Sequence, residues 1–130
     1  MPAVCDVVLP CRDEALALPQ VLAAWPAGLR PLVVDNGSTD ATAEVARDHA
    51  ATVVAEPLAG YGAAVHAGVR AARAPYVAVL DADGSMAAAD LLPLLALVRN
   101  GDATMAVGRR RPVAPGVWPW HARAGTRVLA

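Results

Sequence analysis

Lysine, phenylalanine and isoleucine are absent from the 130 residues of this chain, and all eleven basic residues are arginine. Any chemistry that needs a lysine, whether as a Schiff-base amine or as a phosphate grip, is therefore excluded. Thirty-one alanines supply much of the apolar content; this reads as the codon bias of a GC-rich genome and says little about fold. The two cysteines, Cys5 and Cys11, match neither a zinc-knuckle spacing nor a redox C-x-x-C pair, and a buried free thiol is the plain reading of Cys5. No basic segment precedes a hydrophobic stretch at the start, and Asp6 interrupts the first apolar run, so no secretory signal is expected. The longest apolar stretch, Met86 to Val98, contains Asp90 and Pro93 and is too short to span a bilayer. A cytoplasmic location is expected, with a membrane-bound substrate left open at the inner face.

The formal net charge is only −1, but it is unevenly spread. All twelve acids lie within residues 1–107, whereas residues 108–130 carry five arginines and no acid. A basic tail behind an acidic region suits an anionic ligand, although arginine runs also serve as plain solvated surface.

Short apolar runs alternate with helical segments. The candidate strands are Val4–Leu9, Pro31–Val34, Thr52–Ala55, Tyr76–Leu80 and Thr104–Val107; between them lie helical segments over Leu18–Trp25, Asp40–His49, Gly62–Ala74 and Ala88–Asn100. Runs that are apolar on both faces belong to a parallel sheet covered by helices, so the expected fold is α/β and doubly wound. In such a sheet the ligand cleft lies at the carboxyl ends of the strands. Residues 10–14, 35–40, 56–62, 81–85 and 108–111 would then share one rim. Pro19 suits a first helical turn, and Asp40 or Thr39 can cap the second helix.

Asp81-Ala82-Asp83 is the most telling element on that rim, placed directly behind the fourth strand. Two carboxylates one residue apart repel each other unless a cation or donors neutralise them, which points to a divalent metal with a phosphate. The plainer alternative is an Asx turn at a strand end. Next in weight is Asp35-Asn36-Gly37-Ser38-Thr39-Asp40. An acid at a strand end before a turn-forming glycine places Asp35 in the cleft, able to accept hydrogen bonds from a nucleobase or ribose; the rest reads equally as a turn and a helix cap. Gly60-Tyr61-Gly62 with Gly68 fits a dinucleotide glycine loop poorly. A loop entering an alanine-rich helix is the better reading, with Gly68 allowing close helix–sheet packing and Tyr61 able to lie over a ligand.

Taken in order and spacing, Leu9-Pro10-Cys11-Arg12-Asp13-Glu14, Val34 to Asp40, Leu80-Asp81-Ala82-Asp83 and Val107-Gly108-Arg109-Arg110 resemble the GT-A glycosyltransferases of family 2, a group that includes the polyprenyl- and dolichyl-phosphate sugar transferases. The resemblance implies a GT-A sheet that binds a UDP- or GDP-sugar for inverting transfer to an acceptor hydroxyl or phosphate. By it, Pro10 and Glu14 border the nucleoside pocket and Asp35 meets the base. Asp81 lies near ribose and metal, Asp83 holds Mg2+ or Mn2+, and Arg109 or Arg110 faces the diphosphate. Arg12 and Tyr61 depart from the residue types frequent in the family, which leaves base and sugar preference open.

The resemblance divides the chain into a nucleotide-sugar-binding domain over 1–111 and a Pro/Trp-rich segment over 112–130 that leads toward an acceptor region. Family members usually run on beyond this point with an acidic general base, and no residue here matches it. Two other readings compete with this one. A haloacid-dehalogenase-type phosphatase would use Asp81 as nucleophile, but it needs a downstream lysine that the chain lacks. A donor-binding remnant or assembly module would self-associate through its edge, with Trp118 and Trp120 as anchors. A lipid phosphate or a sugar is the expected acceptor, and nothing points to nucleic acid.

Overall fold

The computed structural model describes residues 2–109. These form two compact units, the first ending at Leu92 and the second beginning at Pro93. In the first, β1 (Cys5–Cys11), α1 (Leu18–Leu22), β2 (Leu29–Asp35), α2 (Thr42–Asp48), β3 (Thr52–Ala55), α3 (Tyr61–Ala71) and β4 (Tyr76–Val79) alternate, followed by a 3₁₀ turn at Ala88–Asp90; most of α4 (Leu91–Arg99) belongs to the second.

The four strands pair in parallel in the order β3-β2-β1-β4. The chain winds outward from β1 through β2 to β3, then returns to place β4 on the other flank of β1. The carboxyl ends of β1 and β4 therefore flank the switch point, where the two crossover directions part and a crevice opens. Register sets the detail: Val8 stands opposite Leu32 on one side and Val79 on the other, and Cys11 stands opposite Asp35.

Both faces of the central strands are covered, as the uninterrupted apolar runs demand. Val7, Val8, Leu9, Leu32, Val33 and Val34 are fully or almost fully buried. On one face Val8, Leu32 and Val34 pack with Ala64 of α3, flanked by Val54, Ala67 and Ala71. Gly68 makes that approach close: a Cβ there would clash with Val8 Cγ1, lie 2.9 Å from Val8 Cγ2, closer than side chains pack, and press on Val34 Cγ2 at 3.1 Å. The close-packing role read for this glycine is the one it plays.

The helices are shorter than the sequence pattern suggests, each for a local reason. Ala24 takes a left-handed φ of +51° and Trp25 precedes Pro26, so α1 stops at Leu22. The third helix ends at Ala71 because the next N–H groups turn elsewhere: those of Arg73 and Ala74 donate to Asp6 Oδ2 at 2.7 and 3.0 Å. One expectation is corrected outright. Residues 104–107 are not a strand; among the described residues no ladder partner pairs with them, and Met105 and Val107 are largely exposed. Apolar composition alone does not make a strand without a neighbour to pair with.

Candidate functional site

Four of the five expected rim segments do follow strand ends. Pro10–Glu14 closes and leaves β1, Asp35–Asp40 leaves β2, Glu56–Gly60 leaves β3 and Asp81–Ser85 leaves β4. Between the first three lies an open cleft of about 210 Å³ lined by Pro10, Cys11, Arg12, Asn36, Gly60, Tyr61 and Ala64. Pro10, Arg12 and Tyr61 were expected at the ligand; the structure brings them together across some fifty residues of chain. Tyr61 opens α3 with its ring largely exposed.

The loops after β1 and β2 are laced to each other. Asp13 donates its N–H to Ser38 Oγ at 3.0 Å, and its Oδ1 accepts from the Thr39 N–H at 2.7 Å and the Thr39 hydroxyl at 3.3 Å. The Glu14 N–H donates to Thr42 Oγ1 at 3.0 Å, and the Ala15 N–H to Asp40 Oδ2 at 3.2 Å. Asp40 also accepts from the Thr42 N–H at 2.9 Å and from the Thr42 hydroxyl. It thus serves the start of α2, although the capping position itself is Ala41. Asp35 Oδ1 accepts from the Ser38 N–H at 3.1 Å, closing the turn through Gly37 at φ +75°.

The loop after β3 is held by Asn36. Its Nδ2 donates to the carbonyls of Glu56 and Leu58, both at 2.8 Å, while its Oδ1 accepts from the Gly60 N–H at 2.9 Å. At the end of β4, Asp83 Oδ1 accepts from the Ser85 N–H at 2.9 Å and the Ser85 hydroxyl at 2.6 Å. This is the Asx turn considered above as the plainer alternative. It engages one carboxylate oxygen and leaves the aspartate at the solvent-exposed lip. Asp81, half-buried, sits one residue back from the buried Ala82.

The electrostatics of the rim are negative and crowded. Burial, followed by the charges of Asp83, Asp40 and Asp13, raises the Glu14 carboxyl above its ordinary range. Burial, aided by Glu14, Asp35 and Asp40, pushes the Cys11 thiol up to about 12, so it is a neutral wall group rather than a nucleophile. Asp40 is the exception: hydrogen bonds from the Thr42 hydroxyl and from the Thr42 and Ala15 N–H groups hold it below the usual carboxylate range. Such a concentration of carboxylates suits a cation. Among the described residues, no three His, Cys, Asp or Glu side chains converge into a metal cage. A divalent ion here would therefore take one or two protein oxygens and complete its shell from phosphate and water, as Mg2+ and Mn2+ do on nucleotides.

Arg109 lies in the second unit and is exposed; Arg110 and the segment 112–130, with Trp118 and Trp120, lie outside the described residues. Sequence reasoning missed Asn36 and Asp13. A signal existed for the first, since a polar amide close behind the buried run Leu32–Val34 must find partners. For Asp13 there was none beyond its place between Arg12 and Glu14.

Residues 6–127 match the family described as Glycosyl transferase family 2. An uncharacterized glycosyltransferase of Mycobacterium tuberculosis is 62% identical over 124 residues, which cover 95% of this chain and 56% of that relative. The chain thus spans little more than half the length of that relative. Among solved structures, a mannosyltransferase from Pyrobaculum calidifontis in complex with GDP-Man and Mn2+ is similar at 27% identity and a TM-score of 0.54, over 64% of this chain and 28% of that one. Glucosyl-3-phosphoglycerate synthase from Mycobacterium tuberculosis in complex with UDP is similar at 25% identity and a TM-score of 0.60, over 73% of this chain and 39% of that one. The parallel α/β sheet expected from the sequence is the GT-A-like sheet of these enzymes.

Proposed function

The chain belongs to glycosyl transferase family 2, and from that membership we propose that it holds a nucleoside-diphosphate sugar in the cleft at the ends of β1, β2 and β3. The observation that carries this reading is the convergence of Pro10, Arg12 and Tyr61 on one cleft beside the switch point of the sheet. The mannosyltransferase with GDP-Man and Mn2+ and the synthase with UDP support both the ligand class and a divalent cation.

In this reading Pro10, Glu14 and Arg12 border the nucleoside, Asp35 accepts a hydrogen bond from base or ribose, and the Tyr61 ring covers the ligand. Asp81 and Asp83 would hold Mn2+ or Mg2+ together with the diphosphate, and Arg109 or Arg110 would face the diphosphate. A bound divalent cation supplies neutralisation of the charge that collects on the departing nucleoside diphosphate. The chain's own residues exclude water from the nucleoside and orient the diphosphate toward the lip formed by Asp81–Ser85.

The reaction assigned to the whole protein is inverting transfer of the sugar to an acceptor hydroxyl or phosphate. Residues 1–111 form its donor-binding part and residues 112–130 lead toward an acceptor region. A cytoplasmic location, at the inner membrane face where the acceptor is a lipid phosphate, belongs to the same proposal. No helix among the described residues is long and apolar enough to cross a membrane.

Calorimetry with UDP- and GDP-sugars tests the reading directly. Affinity should depend on Mn2+ or Mg2+, and Asp83→Ala should remove most of that dependence. Binding that a chelator leaves unchanged would sink the metal role; no binding of either nucleotide sugar would sink the whole reading.

A further inference from the structure

The side-chain amide of Asn36 is engaged at both ends. The residue is 6% exposed, and its three side-chain hydrogen bonds run to the carbonyls of Glu56 and Leu58 and to the N–H of Gly60. Two carbonyls can only accept and an N–H can only donate, so the partners themselves dictate which way the amide faces. The Asn36 backbone N–H donates to the Cys11 carbonyl at 2.8 Å. One residue therefore joins the end of β1, the end of β2 and the loop that enters α3.

That loop has little else to hold it. Residues 57–60 are all exposed, with Leu58 at 68%, so burial contributes little to their order. At its base the Glu56 N–H continues the ladder to the Asp35 carbonyl at 3.0 Å. Beyond that point, Gly60 takes a φ of +129°, a conformation that L side chains rarely adopt, and hands the chain to Tyr61. Gly60 and Tyr61 line the cleft on the side of this loop, and Asn36, bonded to Gly60, lines it as well.

We infer that Asn36 is a positioning residue of the donor cleft: through its hydrogen bonds to Glu56, Leu58 and Gly60 it sets the wall carried by Gly60 and Tyr61 before a nucleotide arrives. The inference rests on the donor-binding reading and deepens it, because a wall ordered in advance does not have to be ordered at the cost of binding. Asparagine is required here for its donors and not for its shape. Aspartate has the same outline but sets a carboxylate against two carbonyl oxygens.

The test uses the full chain, free and with UDP or GDP in the presence of Mn2+, combining hydrogen exchange with calorimetry. In Asn36→Ala, amides from Leu58 to Gly62 should exchange faster while β1 and β2 stay protected, and affinity for the nucleotide that the wild type binds should fall about tenfold or more. Asn36→Asp should show the same loss at neutral pH and regain affinity relative to the wild type as the pH is lowered, because a protonated carboxyl can again donate. A purely structural role would not produce that recovery. Wild-type exchange and affinity in Asn36→Ala overturn the inference even if donor binding itself stands. A wild type that binds neither nucleotide overturns the donor reading and this inference's functional half with it, while the exchange rates still judge the hold of Asn36 on the loop. Should Asn36→Ala fail to fold, Asn36→Asp carries the test alone: loop exchange and affinity like the wild type at neutral pH would equally overturn the inference.

Discussion

Arg30 grips the buried carboxylate of Asp6 with both arms of its guanidinium, Nε to Oδ1 at 2.5 Å and the terminal nitrogen to Oδ2 at 2.9 Å. The pair lies at the end of the sheet opposite the cleft, where the N–H groups of Arg73 and Ala74 complete the shell around Asp6. Burial alone would raise this carboxyl; the hydrogen bonds from Arg30, Ala74 and Arg73 and the guanidinium charge outweigh it and hold Asp6 down to about 2. Four contacts thus make one acid the joint between β1, β2 and the turn into β4.

That joint makes acid sensitivity predictable. The folded-state value lies below the ordinary 3.8, so the stabilisation is fully present above pH 4 and is lost as the pH falls toward 2. Over that window Asp6 alone should account for about 2 to 3 kcal/mol of unfolding free energy. Urea titrations at stepped pH would measure it, and the Asp6→Asn variant should show a shallower decline below pH 4 from a lower starting stability. An identical pH profile in the variant would show that other carboxylates control acid unfolding.

A second prediction concerns a helix end that is suboptimal as it stands. After α2 the Ala51 N–H bonds the Ala46 carbonyl at 3.0 Å and the Ala50 N–H bonds that of Arg47 at 3.1 Å, the pattern of a Schellman motif. The residue at its left-handed position is Ala50, with φ +64°. Glycine removes the Cβ strain but adds freedom to the unfolded chain, and the balance favours glycine by about 0.5 to 1 kcal/mol. Ala50→Gly should therefore raise the thermal midpoint, as scanning calorimetry would show. Ala50 is exposed and precedes the amino end of β3, whereas the cleft lies at the carboxyl ends of the strands, so nucleotide affinity should not change.

What the sequence showed of this architecture divides along physical lines. The first four strands were legible because each is a short apolar run between helical segments; that only β1 and β2 are deeply covered, while β3 and β4 keep exposed residues, came from the strand order, which the sequence reading did not supply. Gly68 was legible too, since a glycine inside an alanine-rich helix usually marks a close approach. Thr104–Val107 misled because strand formation depends on a partner, which composition does not reveal. Asp6, Asp13 and Asn36 stayed hidden for a related reason. Their partners lie 20 to 68 residues away in the chain, so each carboxylate or amide acquires its role only when the fold brings those groups within reach. Asp83 shows the opposite case, a local one: its partner Ser85 is two residues on, and the Asx turn they form is the plainer of the two readings the sequence offered.

Asp13 provides the sharpest separation of strain from bonding at the rim. It sits at φ +57°, which costs an ordinary L residue about 1 to 2 kcal/mol and an Asx residue less, because the side chain can bond locally. In return its carboxylate takes the Thr39 N–H and hydroxyl, and its N–H reaches Ser38. Three substitutions pull these contributions apart. Asp13→Asn keeps an acceptor and the tolerance for positive φ, so stability should stay within about 1 kcal/mol of wild type. Asp13→Ala loses both and should fall by about 2 to 3 kcal/mol. Asp13→Gly relieves φ while losing the side-chain bonds, and should lie between the other two. Donor affinity, measured with the same Mn2+ and nucleotide, should follow the bonds and not the strain, dropping in Ala and Gly alike because both remove the Asp13–Thr39 bonds from the lacing and leave only the backbone N–H contacts to Ser38, Thr42 and Asp40. If Asp13→Gly binds as well as wild type, the Asp13 side-chain bonds to Thr39 contribute nothing to the cleft.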